Sequence, residues 1–171
     1  MVPVKDQLTL LRVAKHLQDS GTSFSLDIAG DGPLAESLRT TRAKLGLSSI
    51  VRFLGPVPHD QLAAHYRAAS AVVLSSRHEA QCLAALEAAA CGLPVIGTRV
   101  GTLPELAPPN RTVVGIADDR ALADALARLL ADESARTQAS ESALATIDAH
   151  FRLDCCTAAF RALYRDLASS T

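Results

Sequence analysis

SSRHEAQCLAALEAAACGLPVIGTRVGTLPE, residues 75–105, reads in one pass as a strand end, a polar turn, a helix, a second strand and a Gly/Pro turn. Leu74, Ser75 and Ser76 close an apolar run, and Arg77, His78 and Glu79 form the turn. Gln81 to Cys91 is an Ala-rich helix pattern stopped by Gly92 and Pro94, and residues 94–98 are the next apolar run. Strand, helix and strand in so short a stretch make a βαβ unit, whose strands lie parallel. Glu79 and Glu87 bracket the helix entry. A carboxylate in apolar surroundings needs a partner, because burying it alone is costly.

Upstream, residues 6–18 place Leu8, Leu11, Val13, Ala14 and Leu17 at helical spacing, with Gly21 as the stop. Residues 1–4 are too short for an element and look like the tail of a strand entering that helix, so an upstream portion is expected to lie outside this sequence. Residues 24–29 alternate into a strand, and Gly30, Asp31, Gly32 and Pro33 turn it into a helix over 34–45. Residues 50–54 are the next strand, broken by Gly55, Pro56, Val57 and Pro58. His59 and Asp60 are expected to cap a helix through Ala69, and residues 71–74 read as a strand buried on both faces.

Downstream, residues 99–110 read as loop and 111–115 as a short strand. Helices follow from Ala117, Asp118 and Asp119 to Leu130, from Asp132 or Ser134 to about Ala149, and over 154–168, the last with Phe160, Leu163, Tyr164 and Leu167 on one side. The alternation specifies one α/β domain over 1–171: a Rossmann-like three-layer α/β/α fold with a parallel sheet. Ligands of such sheets bind at the carboxyl ends of the strands, where the loops 30–33, 55–58, 75–81 and 98–104 gather.

Composition narrows the function classes. The 171 residues are 49% hydrophobic and 20% charged, enough for a real core in one domain. A net charge of −1 without a basic run lacks the electrostatic footprint of a nucleic-acid binder. No apolar run reaches the ~18 residues of a membrane span, so no integral membrane segment is expected. The reading is a cytoplasmic protein, with attachment at the membrane periphery left open for the full-length protein. Cys82, Cys91, Cys155 and Cys156 lack C-x-x-C spacing and read as free core thiols. His16, His59, His65 and His150 stand apart from carboxylates, so no metal site is expected, and His78 reads as a loop histidine.

A helix starting near Gln81 points the amides of Ala80, Gln81, Cys82 and Leu83 above the sheet, a seat suited to phosphate. Glu79 then faces the mouth of the cleft, and Glu87, two turns on, lies deeper against the sheet. Ionised carboxylates accept from vicinal hydroxyls such as those of ribose or a hexose. The same two residues also fit a helix-start charge and an exposed surface glutamate, so the residues alone leave both readings open.

The motifs resemble the donor-binding half of the retaining GT-B glycosyltransferases of the group 1 family. Glu79 and Glu87 match its Glu-x7-Glu spacing, and Glu-Ala-Ala-Ala-Cys-Gly-Leu-Pro-Val-Ile-Gly-Thr over 87–98 and Gly-Thr-Leu-Pro-Glu over 101–105 are close to its wording. The Gly-Asp-Gly-Pro turn over 30–33, Val-Arg-Phe-Leu-Gly over 51–55, and Phe151 and Tyr164 extend the match along the whole chain. The resemblance implies transfer of a sugar from a nucleoside diphosphate sugar to an acceptor with retention of configuration, by a hexosyltransferase-type enzyme with no further cofactor. By it, Glu79 and Lys5 are the catalytic candidates: Glu79 on the transferred sugar, Lys5 on the diphosphate. It assigns Glu87 to the ribose, and the amides of Ala80, Gln81, Cys82 and Leu83 to the diphosphate. Gly30, Arg52, Leu54 and Thr98 are the further donor-binding candidates, with the base held near the strand end that carries Arg52 and Leu54.

Two departures limit what the resemblance implies. The family's N-terminal acceptor domain has no counterpart in this sequence, and the arginine it sets a few residues before the lysine has no room ahead of Lys5. Its usual Gly-Phe-Gly after the first glutamate is Ala80, Gln81 and Cys82 here. The expectation is therefore a donor domain that binds nucleotide weakly and is inactive alone. The alternative is a stand-alone nucleotide-binding or regulatory module without transferase activity.

Overall fold

A computed structural model describes residues 1–106 and 113–169. After a single 3-10 turn at Pro3–Lys5 the elements run α1 (Gln7–Asp19), β1 (Leu26–Ala29), α2 (Ala35–Lys44), β2 (Val51–Gly55), α3 (His59–Ala68), β3 (Val72–Leu74), α4 (Leu83–Ala90) and β4 (Val95–Thr98). They continue with α5 (Leu103–Leu106), β5 (Val113–Val114), α6 (Asp119–Ala131), α7 (Glu133–Thr146) and α8 (Leu153–Ser169), with a π-helical turn at Ile147–Phe151 ahead of α8. Asp118 and Asp132 cap α6 and α7 by accepting the amides of Ala121 and Ala135.

Among the described residues every pairing between named strands is parallel, as the βαβ reading requires, but the sheet comes in two pieces. β1 pairs with β2, and β3, β4 and β5 form the other piece in that order. Helix α1 spans both. Its Leu11 and Ala14 pack with Ile28, Leu38 and Val51, while its Val13 and Leu17 pack with Ile96, Leu122 and Leu126. Burying a leucine of this kind stabilises the fold by about 1.5–3 kcal/mol, so α1 holds the two pieces together.

β4 fixes the layering. Its residues are all buried, and the neighbours Val95 and Ile96 point to opposite faces. Val95 packs with α4, α5 and α7, and Ile96 with α1 and α6. The result is the three-layer arrangement expected from the sequence.

Several local readings are corrected. β3 is half-buried at every residue because its described pairing is to β4 alone, so it is an edge and not a doubly covered strand. Pro58 stands at the N-cap of α3, with no side-chain cap from His59 or Asp60. The loop reading of 99–110 misses α5; Pro104 is tolerated there because a first-turn amide has no helical acceptor. The first two residues of the 111–115 strand lie outside the described residues. Of the four cysteines only Cys82 is fully buried, and Cys156 is exposed. The apolar stripe of α8 is exposed along its length, with Phe160 and Tyr164 more than half accessible. No helix among the described residues is long and apolar enough to cross a membrane.

Candidate functional site

The carboxyl end of β3 is tied to the start of the chain. Ser75 is buried, and its hydroxyl is shared between the carbonyls of Lys5 at 3.0 Å and Asp6 at 2.8 Å. The Arg77 amide donates to the Val4 carbonyl, and the Arg77 guanidinium pairs with Asp6 at 2.9 Å. These contacts fix the 3-10 turn that presents Lys5, and so set where its ammonium stands.

That ammonium reaches Glu79. Lys5 Nζ lies 2.6 Å from Glu79 Oε1, and the Ser76 hydroxyl donates to the same oxygen at 2.6 Å. Burial pushes the Glu79 carboxyl up, but the hydrogen bonds from Lys5 and Ser76 and the nearby charges of Lys5 and His78 outweigh it and hold the group below its ordinary value. Glu79 is therefore ionised at neutral pH in a pocket that exposes only 10% of its side chain, while Lys5 keeps 46% accessible.

Helix α4 begins two residues later than its sequence pattern suggests, because Cys82 adopts the left-handed region at φ 59° and stands at the N-cap. Among the described residues, the amides of Ala80, Gln81, Cys82 and Leu83 donate to no other group, and no side chain caps the helix. They are available donors at the positive end of a helix dipole. The seat is backed by the loop after β4. Gly101, at φ 54°, lies so close that an added Cβ would sit 3.0 Å from Glu79 Cβ and 3.4 Å from Cys82 Cβ. The Thr102 hydroxyl donates to the Gln81 carbonyl.

Glu87 is placed differently from the reading that set it against the sheet. It is half-buried and faces α3, where Tyr66 donates to Oε2 at 3.2 Å and His59 Nδ1 stands 3.9 Å from Oε1. The shortness of α4 explains this: an i, i+3 and i+4 stripe of Ala85, Ala88 and Ala89 takes the buried face, which turns Glu87 sideways.

The remaining candidates divide. Gly30, at φ 107°, donates its amide to the Gly55 carbonyl at 2.7 Å and zips the two glycine loops together at the carboxyl end of β1 and β2. Leu54 is half-buried in β2. Arg52 is exposed and held bidentately by Asp27 across the β1–β2 ladder, both contacts at 2.7 Å, so its guanidinium is committed within the sheet. Thr98 is fully buried and donates its hydroxyl to the Ser76 carbonyl. That bond supports the Ser76 turn beneath Glu79, and it leaves the hydroxyl no free proton for a ligand. No group of three or more potential metal ligands occurs among the described residues.

With this geometry in place, comparison with known proteins identifies the family. The model for glycosyl transferases group 1 matches residues 1–146. The chain belongs to that family. A D-inositol 3-phosphate glycosyltransferase of Corynebacterium jeikeium is 38% identical over 136 residues, covering 74% of this chain and 32% of that protein. A second D-inositol 3-phosphate glycosyltransferase, of Streptomyces bingchenggensis, is 40% identical over 111 residues, covering 60% of this chain and 24% of that protein. The group 1 chain thus spans about a third or less of the length of these curated relatives. Sucrose-phosphate synthase from Thermosynechococcus elongatus superposes with a TM-score of 0.85 at 28% identity, over 99% of this chain and 44% of that one. The C-terminal domain of a glycosyl transferase group 1 family protein from Francisella tularensis shares the fold, with a TM-score of 0.78 at 22% identity over 90% of this chain and 83% of that chain.

Four residues of this group 1 site escape a reading of the sequence alone. Ser76 and Ser75 look like a strand end, Arg77 like a solvated turn, and Tyr66 like a half-exposed helix position. Ser75, Arg77 and Tyr66 each act on a group far along the chain, whereas the Ser76 hydroxyl reaches Glu79 three positions on, and local periodicity signals none of these contacts. Arg77 comes to the Lys5 turn and is engaged there by Asp6.

Proposed function

We propose that this chain is the donor-binding domain of a glycosyltransferase that takes a nucleoside diphosphate sugar and transfers the sugar with retention of configuration. The observation that carries the reading is the meeting of Lys5, Glu79 and four available amides at one strand end. In the donor complex the diphosphate lies on the amides of Ala80 to Leu83, and the Lys5 ammonium turns from Glu79 to the phosphate oxygens. There it stabilises the charge that builds on the departing nucleotide, the kind of term that dominates many enzymatic rate enhancements. Glu79, ionised and released, accepts from the hydroxyls of the transferred sugar, and Glu87 accepts from those of the ribose.

The two glutamates separate in a binding experiment. Glu87→Ala should remove most affinity for the bare nucleoside diphosphate while the fold is kept, since alanine suits a helix interior. Glu79→Ala should spare the bare nucleotide and weaken only its sugar conjugate. Calorimetry with UDP, GDP and ADP and their glucose conjugates reads both. Equal affinities for wild type and Glu87→Ala would sink the ribose assignment, and a Glu79→Ala loss on the bare nucleotide would sink the sugar assignment.

A further inference from the structure

Resting on the reading that Glu87 takes the ribose hydroxyls, we propose that Tyr66 is the positioning residue for Glu87: its phenol holds one carboxylate oxygen, so the carboxylate is oriented before the nucleotide arrives. Tyr66 comes from α3 and is half-buried against the cluster that contains Ala85, Ala88 and Ala89 of α4. Its ring is therefore fixed by packing, and its hydroxyl lies 3.2 Å from Glu87 Oε2.

The chemistry suits that role. Burial pushes the Tyr66 phenol up to about 12, with the charge of Glu87 and its hydrogen bond adding to the rise. Tyr66 therefore stays a neutral donor throughout the physiological range. A carboxylate has about four acceptor positions over its two oxygens, and Tyr66 occupies one. Oε1 has His59 Nδ1 at 3.9 Å, beyond hydrogen-bond reach, and so remains available. A vicinal diol requires two acceptor positions, fewer than remain. Without Tyr66 the glutamate would be ordered only on binding, which opposes association through lost rotamer freedom.

The test is Tyr66→Phe, which keeps the ring and removes the hydroxyl. Binding is measured by calorimetry with UDP, GDP and ADP and with the 2′,3′-dideoxy counterpart of each, alongside Glu87→Gln. Tyr66→Phe is expected to weaken the ribose nucleotides by about threefold to tenfold, the effect of one side chain ordered on binding, and to leave the dideoxy compounds unchanged. The ratio of the two affinities is internal to each variant. Partial unfolding scales both affinities equally and cancels from it, so a merely structural role would not move it.

If Glu87→Gln lowers that ratio and Tyr66→Phe leaves it at the wild-type value, the positioning role of Tyr66 is overturned while the ribose assignment stands. If Glu87→Gln also leaves it unchanged, or wild type binds none of the nucleotides, the ribose assignment falls and the role of Tyr66 falls with it.

Discussion

Replacing Thr98 by valine separates a structural threonine from one that contacts ligand. In the structure Thr98 is fully buried and its hydroxyl donates to the Ser76 carbonyl, joining the ends of β4 and β3 beneath Glu79. Valine matches the shape but leaves that buried carbonyl without its donor, at a cost of about 1–3 kcal/mol. The added methyl returns part of this, about 0.8 kcal/mol, leaving a net loss of about 0.2–2.2 kcal/mol. For a chain of this size each kcal/mol lowers Tm by roughly 2–4 °C, so Thr98→Val should melt lower by up to about 9 °C in the absence of any ligand. Thr98→Ser keeps the donor and loses only a methyl, a change of about 0.5–1.5 kcal/mol through the cavity it leaves. Calorimetric or circular-dichroism melting of the three proteins decides the matter. A Thr98→Val protein that melts no lower than wild type yet binds nucleotide less tightly would refute the argument, and would return the hydroxyl to the ligand site.

Three further outcomes follow from the same geometry. Gly101→Ala forces a left-handed φ on an L-residue, at about 1–2 kcal/mol, and drives its Cβ toward Glu79 and Cys82; a lowered melting temperature with weakened nucleotide binding is expected, and an unchanged one would refute the packing. Because Glu79 titrates below its ordinary value when folded, it adds stability that is present above about pH 4.3 and lost as pH falls through the lowered folded value. Lys5→Met should move its titration upward in carboxyl-carbon NMR and flatten the acid limb of the stability curve. The raised Tyr66 phenol adds stability that is full below about pH 10 and is lost as pH rises toward 12. Glu87→Gln should bring that titration earlier, read from the ring-carbon shifts of the two tyrosines.

The fold is legible where local chemistry decides it. Turn residues such as Gly30, Gly55 and Gly92 punctuate the chain, Leu11, Val13, Ala14 and Leu17 repeat at helical spacing, and Asp118 and Asp132 announce their helices as caps. What escapes is set by something outside the local window. The apolar residues of β3 predict burial on two faces, yet burial depends on a neighbour strand, and β3 is an edge. The stripe of α8 is a true amphipathic pattern, but a pattern says nothing about what packs on it, and here it is exposed. Residues 99–110 look like loop because Pro104 reads as a breaker, whereas it stands in a first turn.

The candidate site divides along the same line. Glu79, Glu87 and Lys5 are reached through the family's motif spacing, and the structure brings Lys5 and Glu79 into contact across 74 positions. The partners that set their geometry, Ser76 on Glu79 and Tyr66 on Glu87, belong to no motif quoted from the sequence. Thr98 and Arg52 are candidates by their place at strand ends. Position along a strand does not say whether a side chain already has a partner, and both do.

The most direct test of donor binding is an amide NMR titration of this chain with UDP-, GDP- and ADP-glucose up to millimolar concentration. With one of them, the amides of Ala80 to Leu83 should shift first and farthest, followed by those of Lys5, Glu79 and Glu87, and Glu87→Ala should abolish the response. No shift with any of the three, or shifts confined to residues away from the ends of β3 and β4, would contradict the proposed function.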